Sequence, residues 1–60
     1  MINVVWSKSK SDGCNVYRWG DYEIVSLYEG GHMLCRFGCF LAEGGLRNLK
    51  EYAVEHERFN

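Results

Sequence analysis

Proline is absent from this 60-residue chain, and no stretch of it approaches the roughly 18 consecutive apolar residues that a membrane span requires. The N-terminus also lacks the charged-then-apolar pattern of a secretory signal, so the expected setting is the cytoplasm, away from any membrane. Cysteine is sparse and odd in number: Cys14, Cys35 and Cys39 cannot all pair, which argues against a disulfide framework. If the segment from His32 onward is one regular strand, Cys35 and Cys39 lie ~13 Å apart, too far to bridge. The expected state is therefore reduced, buried thiols. Charge of one sign is missing as well. Residues 1–42 carry four basic and four acidic side chains and residues 43–60 carry three and four, for a net charge of -1. No block of charge is present to recruit a polyanion or a lipid surface.

What the chain does have is glycine, seven residues of it, and 15% aromatic side chains. No proline, many turn glycines and many rings suit a strand-rich fold with tight turns better than a disordered tail. Sixty residues make a single domain, 1–60, that buries only about 60% of its unfolded surface and is marginally stable by itself.

The segment from His32 to Val54 organises the rest. Alternation in an extended chain puts Met33, Cys35, Phe37, Cys39 and Leu41 on one row and His32, Leu34, Arg36, Gly38 and Phe40 on the other, and the first is expected to be the core row. After Gly44-Gly45, where a helix cap belongs, Leu46, Leu49, Ala53 and Val54 recur at helical spacing and form one stripe to bury. The pairs Arg47 with Glu51 and Glu55 with Arg58 support the helix, which frays over Arg58 to Asn60. Upstream, Met1 to Ser7 reads as a β-branched first strand and Ser7 to Gly13 as a polar loop ending in Asp-Gly. Cys14 to Trp19 and Tyr22 to Glu29 read as strands joined at Gly20-Asp21, and Gly30-Gly31 turns the chain into the His32 strand. The expected fold is α+β: a small four-stranded antiparallel, meander-like sheet followed by one C-terminal helix packed on one face.

Residue types able to ligate metal are present in Cys14, Cys35, Cys39, His32 and His56, but His32 and Cys35 fall on opposite faces of a strand and no tight Cys-x-x-Cys turn exists. No metal or other cofactor is expected. Cys14 has no nucleophile signature around it, the carboxylates read as solvated faces, and neither double glycine has the spacing of a phosphate loop. No catalytic residue is assigned and the chain is not expected to be an enzyme.

The aromatic surplus is the feature that exceeds what folding needs. One helix covers one sheet face, yet both rows of several strands carry large apolar groups, so one row looks away from the helix. That pattern points to a protein partner or a homodimer, with Trp6, Tyr17, Trp19, Tyr22, Tyr28 and Phe40 as the partner-binding set, the alternative being rings that lie partly exposed over their neighbours as cross-strand pairs stabilising a small sheet. The expected function is a small non-enzymatic protein-binding module, of the kind phages and mobile elements use as accessory proteins to bind and inhibit a host protein. The alternative is a nucleic-acid-binding regulator using the same face with Lys8, Lys10, Arg18 and Arg36, which the net charge disfavours. From Phe37-Gly38 through Phe40, Leu46, Leu49 and Tyr52-Ala53, the sheet-to-helix junction resembles that of integrase arm-binding domains and similar small DNA readers with a three-stranded sheet and one helix. The arginine-rich strands by which those domains read DNA are missing here, so the resemblance implies the arrangement and not the function.

Overall fold

In the computed structural model, which describes residues 4–27 and 29–59, Ser7–Ser11 (β1), Cys14–Trp19 (β2), Tyr22–Ser26 (β3), His32–Arg36 (β4) and Cys39–Gly44 (β5) form one antiparallel sheet. Its order follows the chain, β1-β2-β3-β4-β5, and the helix Leu46–Arg58 (α1) comes last. The α+β class and the meander are as expected. The strand count is five where four were read, and two local features account for the difference.

The first lies at the N-terminal end. The Ser-Lys-Ser-Lys-Ser run, read as a loop, is β1, because Asp12 and Gly13 both take positive φ (52° and 81°) and fold it back in register on β2, Ser11 opposite Cys14 and Ser7 opposite Arg18. Positive φ at both central residues is the geometry that matches strand twist. Turn chemistry outweighs the poor strand propensity of serine and lysine. Val4, Val5 and Trp6, read as part of a first strand, form none, and the rest of that reading, residues 1–3, lies outside the described residues.

The second feature splits the long strand. Phe37 and Gly38 also take positive φ (53° and 79°), so the chain reverses there and Arg36 faces Cys39 across a two-residue turn. The ~13 Å separation of Cys35 and Cys39 therefore does not apply: they sit on adjacent strands, although their side chains leave on opposite faces and both thiols are free. The expected core row is reversed too. Leu34 is fully buried, whereas Met33 and Cys35 turn to the other face and Phe37 and Cys39 are exposed. Only Leu41 keeps its place against the core. A one-residue irregularity in β5, opposite Leu34/Cys35, lets Leu41 and Ala42 both pack inward.

The helix begins at Gly45, which caps without a side-chain bond, and lies over β3, β4 and β5. Leu49 and Ala53 bury themselves on Ile24, Leu34 and Tyr22, with Leu46 beside them, as the 3.6-residue stripe requires. The ion pairs Arg47–Glu51 and Glu55–Arg58 form on the solvent side. Val16, the cross-strand partner of Val25, is buried on the opposite face of the sheet.

Candidate functional site

Ladder register fixes which row looks at the helix. Tyr17 faces Ile24, Trp19 faces Tyr22, Ile24 faces Leu34 and Tyr22 faces Arg36, so these side chains share the helix face. Trp6, Tyr17, Trp19 and Tyr22, four of the rings that composition marked as surplus, therefore lie under or beside α1. Trp6 packs on Trp19 with ring centroids 5.6 Å apart, Trp19 stacks on Tyr22 at 5.4 Å, Tyr22 meets His56 edge-on, and His56 stacks on Tyr52. This line of rings crosses the helix face near the C-terminal end of α1. Trp6 and Val4 reach the helix flank formed by Lys50 and Val54. Tyr17 lies beyond the helix, with the Lys50 ammonium 5.0 Å and the Lys8 ammonium 5.9 Å from its ring centroid. Of the six residues singled out for partner binding, Phe40 alone is highly exposed on the far face, opposite Cys35, and Tyr28 lies outside the described residues.

Tyr22 is the polar centre of the helix face, only 2% exposed. Its hydroxyl donates to Glu57 Oε2 at 3.0 Å and lies 2.9 Å from His56 Nδ1. A phenol has one proton, so with Glu57 as acceptor the Nδ1–H of His56 donates to Tyr22, and the three groups form a directed chain from imidazole to phenol to carboxylate. The Arg36 guanidinium closes the cluster, 3.4 Å from Glu57 and 3.9 Å from Asp21, with its plane 5.1 Å from the Tyr22 ring and 5.2 Å from that of Phe37. Burial, and then the bond to Glu57, pushes the Tyr22 phenol above its ordinary pKa against the opposing pull of Arg36. At neutral pH the group is a hydrogen-bond donor, not a base. Chemically the cluster ties β3 and β4 to the last turn of the helix.

The opposite face is sparser. Arg18 and Glu23 bond at 2.9 Å beside Val16, Val25 and Met33, and the serines of β1 occupy one margin. Burial, and then Glu23, raises the pKa of the Cys35 thiol. Cys14 and Cys35 are half-buried and Cys39 is exposed, which corrects the expectation that all three thiols are buried. Among the described residues, no three His, Cys, Asp or Glu side chains converge to hold a metal ion, and no helix is long and apolar enough to cross a membrane.

Two apolar features escaped sequence reasoning. Phe37, assigned to the core row, stands at the tip of the β4–β5 hairpin 72% exposed, although Gly38 directly after it was a turn signal. Tyr52 and Phe59 line one flank of α1 at a spacing of two turns, exposed by 44% and 81%, with His56 and Glu55 between them. No family model, curated protein or solved structure matches the chain.

Proposed function

We propose that this chain is a non-enzymatic protein-binding module and that Phe37 is its principal contact residue. The observation that carries the reading is the conformation of that residue. A bulky side chain at φ 53° occupies the left-handed region, which costs a non-glycine residue about 1–2 kcal/mol, and the covered part of the ring offsets about 1 kcal/mol of this while 72% of the residue stays in water. Glycine at the same turn position would remove the strain and asparagine would lessen it. An exposed aromatic held in an unfavourable conformation at the tip of a hairpin has the form of an anchor for a pocket on another protein. Tyr17, Trp19 and Tyr22 serve this module as the support on which the hairpin and helix are fixed. The partner is a host protein in the cytoplasm, which the module inhibits by occupying its pocket.

The test is photocrosslinking. With benzoylphenylalanine at position 37, discrete protein adducts should form in cells that carry the chain, and the same group at exposed Asp12 should give none of them. Equal labelling from both positions would sink the proposal.

A nucleic-acid reading retains one supporting observation. Lys8 and Lys50 flank Tyr17, and Lys10 shares their face, whereas Arg18 and Arg36 are engaged by carboxylates. Salt-sensitive oligonucleotide binding that disappears in Lys8→Gln/Lys50→Gln would favour it over the protein-binding reading.

A further inference from the structure

The two margins of the sheet are built differently. The β1 margin is Ser-Lys-Ser-Lys-Ser, fully exposed, with the lysines that keep a free edge from pairing with another chain. The β5 margin is Cys-Phe-Leu-Ala-Glu-Gly, with no basic residue or proline, and among the described residues no strand lies on its outer side. We propose that β5 is the self-association edge of this protein, pairing antiparallel with β5 of a second copy about a two-fold axis between Leu41 and Ala42, to give a continuous ten-stranded sheet.

The pattern of β5 carries the argument. A two-fold antiparallel pair matches position 40 with 43, 41 with 42 and 39 with 44 of the other copy, so matched residues must leave on the same face. In a regular strand these pairs, separated by odd numbers of residues, would leave on opposite faces. The irregularity at Leu41 removes the conflict. Phe40 and Glu43, opposite Cys35 and Met33, point away from the helix, while Leu41 and Ala42 both pack toward it and Cys39 and Gly44, opposite Arg36 and His32, share the helix side. The face pattern is thus the same read from either end.

Hydrogen-bond direction agrees with it. Arg36 and Cys39 close a two-residue hairpin and so exchange both their bonds, which makes Cys35–Phe40 an open pair; with Leu41 and Ala42 together taking the one bonded position opposite Leu34, Met33–Glu43 is the next open pair. Phe40 and Glu43 aim their N–H and C=O outward, and they are the two residues that the axis places opposite each other.

The helix flank supplies the apolar contact. Lys50 and Val54 lie toward β2 and Trp6, so Tyr52 and Phe59, which helical spacing puts on the other flank of α1, are turned to the β5 side. Each helix is centred over β4, and β4 to its mate across the axis spans three strand spacings, ~14 Å, against the 8–10 Å of direct helix contact. Rings from both sides fill that gap. At ~200 Å² per ring, the exposed parts of Phe40, Tyr52 and Phe59 amount to about 350 Å² per protomer. Doubled, and with the strand edges added, this is within reach of the ~1,000 Å² a specific interface needs. The surface is separate from the hairpin tip, and the two Phe37 side chains remain free at opposite ends of the joined strands.

A charge swap tests the pairing. Sedimentation equilibrium should show the wild-type chain dimerising with a Kd below about 100 μM. Phe40→Glu faces Glu43 of the second copy twice and should raise Kd at least about tenfold, with the circular dichroism spectrum unchanged since Phe40 is exposed. Phe40→Glu/Glu43→Lys should restore it to within about threefold. Tyr52→Glu, on the exposed helix flank, should also weaken the dimer, and Phe37→Gly should not, even if it ends capture of a partner protein. A monomer at all concentrations, a dimer indifferent to Phe40→Glu, or failure of the swap to rescue would each overturn the proposal.

Discussion

Glycine is worse than alanine at nearly every position of a strand, by about 0.5–1 kcal/mol, because it loses more conformational freedom on folding. At Phe37 the order should invert. Phe37→Ala and Phe37→Gly both remove the ring, with its contact to Arg36 and its small buried portion, so those losses cancel between the two variants. What remains is the backbone: alanine keeps a Cβ at φ 53°, at about 1–2 kcal/mol, and glycine does not. Offset by the larger unfolded-state entropy of glycine, the glycine variant should be the more stable by about 1 kcal/mol. For a domain of this size that is about 4–8 °C in Tm. Against the wild type, relief of strain and loss of the ring, about a quarter of which is covered, oppose each other. At ~25 cal/mol per Å² over the ~50 Å² of ring that is covered, the loss is about 1 kcal/mol, so Phe37→Gly should fall within about 1 kcal/mol of wild type. Urea melts of the three proteins, compared at equal m-value, would measure these differences. A glycine variant no more stable than the alanine variant would show that residue 37 is not held in the left-handed region, and the case for a strained contact residue would fail with it.

Leu34→Ala should cost about 2–5 kcal/mol, enough to unfold much of a 60-residue domain, whereas Met33→Ala on the opposite face should cost much less; chemical denaturation of both would distinguish the observed core row from its reverse. Tyr22→Phe should cost about 1 kcal/mol at neutral pH by removing the hydroxyl between His56 and Glu57. The Tyr22 phenol has its pKa raised above 10.0 in the folded state, so its contribution is fully present below pH 10 and is lost as pH rises through the folded value. Stability measured up to pH 11 should therefore fall less steeply in Tyr22→Phe than in the wild type. At pH 7.5 a maleimide should modify exposed Cys39 well before Cys35, whose thiol is half-buried with a raised pKa; mass spectrometry showing the reverse order would contradict the hairpin geometry.

Much of the architecture was legible in local chemistry. Asp12-Gly13, Gly20-Asp21 and Gly30-Gly31 marked the turns, alternation marked β2 and β3, and the stripe Leu46, Leu49 and Ala53 marked the helix and its buried side. The turn residues themselves restrict φ, and the periods of strand and helix are properties of a single element. Which face of the sheet each row would occupy was not decided locally, because both rows of β2 to β5 carry apolar groups and a shift of one residue exchanges them. The turn at Phe37-Gly38 moved Phe37 from the expected core to the hairpin tip, and the irregularity at Leu41 returned Leu41 to the core. The Ser-Lys run became a strand because β2 offered it a pairing edge. The α+β class, the antiparallel order and the helix stripe thus follow from local chemistry along the chain. Tertiary structure alone turned Tyr17, Trp19 and Tyr22 toward the helix and left Phe40 exposed on the other face and Phe37 at a hairpin tip, since one helix can cover only one face and three of the five strands.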